Sequence, residues 1–223
     1  MKKTLLATSI LAIALTAPLA HAYKAGDIIV RAGAVTVAPN EDSSNVQVGA
    51  TKVPGTKATL DSNTQLGLTG TYMITDKVGI ELLAATPFSH TVGVKGFGPS
   101  IDGNLADIKY LPPTLSAVYY PLDSNSAFQP YVGLGLNYTW FFDTKLTSAA
   151  EGVGFNGFEL KDSWGLAGQV GMDYMLTDNL LFNAHVRYID IDTTGTTHLG
   201  PTKVKVDVEV DPWVYMVALG YKF

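Results

Sequence analysis

Trp213-Val214-Tyr215-Met216-Val217-Ala218-Leu219-Gly220-Tyr221-Lys222-Phe223 sets a large apolar side chain at every second position. Successive strand residues point to opposite sides, so Trp213, Tyr215, Val217, Leu219, Tyr221 and Phe223 share one face. Met216, Ala218, Gly220 and Lys222 share the other. One face suits hydrocarbon and the other, small and charged, suits a wet interior. Such a strand, repeated through an exported chain, predicts a barrel in a bacterial outer membrane.

Export is written at the start of the chain. Met1-Lys2-Lys3 is a basic n-region, Leu5 to Leu15 an apolar stretch, and Ala20-His21-Ala22 a small-x-small cleavage signal. Residues 1–22 therefore read as a signal peptide, with residues 23–223 as a single barrel domain; the apolar stretch is too short for a spanning helix. Without Lys2 and Lys3, 13 basic residues face 20 acidic ones, a balance of −7. That acidity argues against a nucleic-acid partner. With no cysteine, disulfides, thiol nucleophiles and Cys-based metal sites are excluded, and no residue pattern calls for a cofactor or metal.

Beyond the leader no apolar run approaches the roughly 20 residues of a spanning helix. Alternating segments recur instead, rich in the chain's 22 glycines and 11 tyrosines. Parity assigns eight strands. The first, Asp27 to Val37, places Ile28, Val30, Ala32 and Ala34 outward and Ile29, Arg31, Gly33 and Val35 inward. The second, Thr64 to Ile74, sets Leu66, Leu68 and Tyr72 against Gln65, Gly67, Thr69 and Thr71. In the third, from Val78 into the low nineties, Glu81, Leu83 and Ala85 face inward. The fourth runs from about Ile108 to Tyr120 through a double proline. The fifth, Tyr131 to Phe141, alternates Val132, Leu134, Leu136, Tyr138 and Trp140 with small and polar residues. The sixth turns Gln169 and Asp173 inward, and the seventh Leu181, Asn183, His185, Arg187 and Ile189. The terminal segment is the eighth.

Tight connections at Thr75-Asp76-Lys77, Leu122 to Ala127 and Thr177-Asp178-Asn179 alternate with long ones at Pro39 to Asn63, Lys95 to Asp107, Thr144 to Glu159 and Thr193 to Lys203. Short periplasmic turns and long outer loops are the outer-membrane pattern, with both termini periplasmic. Trp140, Phe141, Trp164 and Tyr188 are expected in an outer aromatic girdle, and Tyr72, Tyr119, Tyr120, Tyr174, Tyr221 and Phe223 in an inner one. A soluble lipocalin-type barrel would turn the Gly-, Ala-, Thr- and Met-rich face to water, with too little charge to solvate it.

Gln65-Leu66-Gly67-Leu68-Thr69, Glu81 to Phe88, Leu111-Pro112-Pro113-Thr114-Leu115 and Lys161 to Gly165 resemble the OmpW family. Pro130 to Gly133, Asn137-Tyr138-Thr139, Asp190 to Thr194 and Asp211-Pro212-Trp213 extend the likeness over nearly the whole mature chain. The resemblance implies an eight-stranded up-and-down outer-membrane barrel with a narrow, largely hydrophobic channel that passes small hydrophobic solutes. It further implies a carboxyl-terminal aromatic signal read by the outer-membrane assembly machinery and, in some members, use as a bacteriocin receptor.

Eight strands leave an interior just wide enough for side chains to fill. Arg31, Glu81, Gln169, Asp173, His185 and Lys222, with Arg187 among the same inward charges, are expected to form a polar plug in the periplasmic half; an ion path gated by rearrangement of these charges is the other reading. Leu83, Ala85, Leu181 and Ile189 are expected to line an apolar channel higher up, with Phe88 and Val92 following and Arg187 as a gate. Pro87, Pro112 and Pro113 remove ladder donors from neighbouring strands, which predicts either strand ends or a lateral opening into the bilayer. His90, His185 and His198 lie in no catalytic or metal-ligand motif, so no enzyme is expected. The expected partners are outer-membrane lipid and lipopolysaccharide, with a bacteriocin or phage if the barrel serves as a receptor.

Overall fold

The computed structural model describes residues 22–40, 42–99 and 101–223. The expected signal peptide lies outside the described residues except for Ala22. Among the described residues seventeen strands and one short helix follow in order: β1 (Ile28–Ala38), β2 (Asp42–Ser43), β3 (Gln47–Val48), β4 (Thr51–Lys52), β5 (Lys57–Leu60), β6 (Asn63–Met73), β7 (Val78–Ala85), β8 (Phe88–Lys95), β9 (Gly103–Leu111), β10 (Thr114–Tyr119), β11 (Phe128–Leu146), α1 (Ser148–Gly152), β12 (Phe155–Leu160), β13 (Ser163–Met175), β14 (Leu180–Ile189), β15 (Asp192–Leu199), β16 (Thr202–Glu209) and β17 (Trp213–Lys222).

Eight of these close a ring. Antiparallel pairing runs β1–β6–β7–β10–β11–β13–β14–β17 and returns to β1, where Ile29 meets Lys222 and Ala38 meets Trp213. Closure leaves no open edge, the condition for sheet in lipid. The outer wall stays bare of protein: Leu134 is 77% exposed and Trp164 73%, amid a band of exposed Leu, Val and Tyr that water would not tolerate at this size. Hydrocarbon is the solvent that fits it.

Parity predicted the facing of each strand, with two corrections at the girdles. Trp140 is exposed, so Phe141 turns inward, 5.4 Å from the Tyr110 ring, and Phe142 joins the outer belt beside Trp140 at 5.0 Å. Tyr119 is exposed, so Tyr120 points into the lumen and is fully buried. Adjacent aromatics cannot share a face of one strand. The outer belt is completed by the pairs Tyr138–Trp164 and Tyr188–Trp213.

The expected long loops are largely β-structure. β8, β9 and the upper end of β11 extend the wall outward and carry β5 on their edge, while β12, β15, β16, β3 and β4 form a second sheet, with β2 on β16. These layers face each other through Val92, Val94, Leu105 and Ile108 on one side and Phe158, Val206 and Val208 on the other. Alternation inside the loop segments, masked in sequence by their Gly, Ser and Thr content, is what builds this extension.

Candidate functional site

The lumen is layered. At the periplasmic end, Ala22, Tyr23, Ile29, Met73, Val118, Tyr120, Tyr131, Met175 and Leu181 form a small buried cluster. Leu181 thus faces inward as expected but sits low, because β14 climbs from the periplasmic turn at Thr177 to Asn179. The residues entering β1 cross the mouth: Tyr23 reaches up so that its Oη donates to Asp173 Oδ2 at 2.6 Å, with its ring edge-on to Tyr120 at 4.8 Å.

Above it lies a belt of four buried charges. Arg31 grips Asp173 through Nε at 3.0 Å and Nη2 at 2.5 Å, and its Nη1 reaches Thr71 Oγ1 at 2.8 Å and Glu81 Oε2 at 3.3 Å. Glu81 Oε1 accepts from Arg187 Nη2 at 2.8 Å and from Gln169 Nε2 at 2.9 Å, while Arg187 also donates to Gln169 Oε1. Tyr120 Oη accepts from Arg31 at 2.9 Å and Asn183 Nδ2 donates to Asp173 at 2.7 Å. All four ionic side chains are 0% exposed, and two arginines balance two carboxylates. Buried charge survives only when paired and hydrogen-bonded in this way.

Of the predicted plug, Arg31, Glu81, Gln169 and Asp173 meet directly, with His185 beside Asn183 at 3.1 Å. Arg187, counted both among the inward charges of the plug and as a channel gate, belongs to the belt. Lys222 does not join it; its Nζ donates to Ala22 O at 2.7 Å at the periplasmic mouth. Sequence reading turned Asn183 inward without assigning it to the plug and missed Tyr23 and Tyr120, of which only Tyr120 could have been signalled, by its parity against exposed Tyr119.

Over the belt the lumen turns apolar. Leu83, Ala85, Ile189, Val35, Val37 and Val214 lead upward through Phe88 and Val92 into the extension, one continuous cluster as far as Val46 and Phe155. A cavity of about 10 Å³ lies between Leu83, Phe88, Pro112 and Ile189, and one of about 30 Å³ lies higher, between the two extension sheets. Neither holds more than a water or two, so the column is filled by its own side chains.

The prolines sit where the wall changes partners. The β7–β10 ladder ends at Leu83 opposite Thr114, and β8–β9 pairing resumes at Phe88 opposite Tyr110. Between these points Ala84 to Pro87 and Leu111 to Pro113 form a seam without ladder pairing to each other, although Ala84 and Ala85 stay paired with β6 and Leu111 with Trp140 of β11. Both flanks remain tied: Thr86 donates to Leu66 O at 3.0 Å, and Tyr138 donates to Pro113 O at 3.1 Å. Asn137, also missed from sequence, braces the diproline from inside, its Nδ2 donating to Pro112 O at 3.1 Å and Pro113 O at 3.2 Å. Phe88, Tyr110 and Phe141 cap the seam within the lumen. There His90 is sandwiched, with Nδ1 at 2.5 Å from Asp61 O and Nε2 at 3.0 Å from Tyr110 Oη.

Comparison with known proteins agrees with this architecture. The OmpW family matches residues 24–223. Outer membrane protein W of Vibrio cholerae is 46% identical over 225 residues, covering 100% of both chains. The crystal structure of the outer membrane protein OprG from Pseudomonas aeruginosa superposes with a TM-score of 0.88 at 57% identity, covering 91% of this chain and 98% of that one. More distantly, the dibenzothiophene metabolism operon protein PahQ of Pseudomonas aeruginosa is 27% identical over 181 residues, 81% of this chain and 82% of that protein. The chain belongs to the OmpW family of outer-membrane β-barrels.

Proposed function

We propose that the barrel takes up small hydrophobic molecules through the apolar extension and releases them sideways into the bilayer at the proline seam. One observation carries this reading: the apolar column ends on a floor of four paired charges and beside a stretch of wall, marked by three prolines, that lacks ladder pairing between neighbouring barrel strands. An apolar solute crossing the floor would separate hydrogen-bonded charges and offer nothing in return, at a cost on the order of several kcal/mol per unpaired group. Leaving through the seam breaks no ladder bond. Because the cavity at Leu83 is only about 10 Å³, passage requires Leu83, Phe88 and Ile189 to swing aside. The name of the relative from a dibenzothiophene operon supports an apolar aromatic compound as the class of solute.

Replacing Leu83 with Trp tests the path, since a bulky ring there fills the column just above the floor and leaves the outer surface intact. Uptake of small hydrophobic compounds by cells displaying equal amounts of barrel is expected to fall several-fold. Replacing Pro112 and Pro113 with Val and Thr, so that the ladder can close, is expected to do the same. Undiminished uptake in both variants would overturn the lateral route.

A further inference from the structure

Three rings stand side by side on the inner face of the wall where pairing resumes above the seam. Phe88, Tyr110 and Phe141 are register partners on β8, β9 and β11, which puts them on one level across three neighbouring strands, with Tyr110 in the middle. The Phe88 ring stacks on it at 5.7 Å with 27° between the planes, and the Phe141 ring lies tilted against it at 5.4 Å and 39°. Ring contacts of this kind discriminate by shape and by π face, and a saturated hydrocarbon cannot reproduce them.

The row divides the apolar column. Phe141 lines the cavity between the extension sheets and Phe88 the cavity beside Pro112, so its two ends face the two spaces that a descending solute has to join. The rings differ in how they are held. His90 stacks on Tyr110 at 5.3 Å and 30°, and its Nε2 lies 3.0 Å from Tyr110 Oη. Because His90 Nδ1 faces the Asp61 carbonyl, which can only accept, Nδ1 carries the proton and Nε2 accepts from the Tyr110 hydroxyl. Tyr110 is thereby pinned at its tip. Phe88 and Phe141 carry no polar group and are held by packing alone.

We propose that Tyr110 is a fixed stacking platform that selects flat aromatic solutes for the column. Phe141 and then Phe88 swing aside, and the solute takes the place of each against the Tyr110 ring. A flat aromatic solute restores every ring contact it displaces, whereas a saturated one of the same carbon skeleton restores none. This selectivity rests on the reading that solutes descend the column and leave at the seam.

Uptake of naphthalene and of decalin, its saturated counterpart, measured above that of cells lacking the barrel, tests the platform. Y110F and Y110L both lose the bond to His90 and differ in the ring. Y110F is expected to keep the naphthalene-to-decalin ratio and Y110L to lower it about five-fold, the scale of one aromatic pair. An unchanged ratio in Y110L, or a fall in Y110F as deep as in Y110L, would overturn the platform. L83W in the same assay separates platform from route. If L83W leaves uptake of both solutes intact, the route falls and the platform with it; if L83W blocks both while Y110L keeps the ratio, the platform alone falls. Should Y110L not reach the membrane, competition in the unaltered barrel decides. Excess azulene, a flat aromatic, is expected to slow naphthalene uptake more than decalin at equal aqueous activity, and equal competition by the two would overturn the platform.

Discussion

Replacing Glu81 with Gln leaves Arg31 and Arg187 in a dry lumen with Asp173 as their only carboxylate. Removing one partner of a buried ion pair costs about 3–5 kcal/mol, so the midpoint of urea unfolding in detergent should drop markedly. A volume effect should be visible beside the same belt. A Cβ at Gly220 would lie 2.9 Å from Arg31 Cγ and 2.7 Å from Leu181 Cδ1, inside normal contact from two buried side chains. Gly220→Ala is expected to cost about 1–3 kcal/mol by overpacking, measured in the same unfolding experiment. Glycine serves here by its missing side chain rather than by its backbone freedom.

At the scale of elements, the prolines divide each of two expected strands in two, β7 from β8 and β9 from β10, and the halves pair differently. His90 gives the upper half a pH dependence. Burial pushes its imidazole below the ordinary 6.5, against the opposing influence of Asp61, and Tyr110 stacks on it at 5.3 Å. A depressed imidazole favours the folded state fully above pH 6.5, and that stability is lost as pH falls below it, because the unfolded chain then binds the proton more readily. Protection of the β8 and β9 amides, taken relative to their intrinsic exchange rate at each pH, is expected to fall between pH 7 and 5. In His90→Gln that loss of protection should vanish. The barrel strands below, which His90 does not touch, should be protected alike in the unaltered protein and in His90→Gln at each pH.

At the scale of the whole molecule, the ring closes without help from β12, β15 and β16. Shortening the β15–β16 hairpin by replacing residues 195–206 with an Asn-Gly turn is therefore expected to leave a closed barrel, seen by unchanged strand content and heat-modifiable gel mobility. It should uncover the apolar faces of Val92, Val94 and Ile108, read as increased binding of a fluorescent apolar dye. Loss of the barrel itself would mean that the extension is part of one cooperative unit. The division follows from the packing: the barrel wall is held by ladder bonds around a ring, the extension by two sheets pressed face to face.

Strand count, facing and membrane placement were legible along the chain because a period of two survives in the sequence wherever one face meets lipid and the other meets the lumen, as Trp213 to Phe223 and Tyr131 to Phe141 show. Arg31, Glu81, Gln169 and Asp173 could be picked out as inward polar residues for the same reason. Parity gives a face but not a height or a partner. It could not put Leu181 below the charges and Ile189 above them, leave Lys222 at the mouth, or bring Tyr23 under Asp173, 150 residues away. Nor could it reveal that loops rich in Gly and Ser fold into a second sheet. Strand tilt and closure decide those relations, because they set which residues of distant strands share a level, and only at a shared level can buried charges find one another.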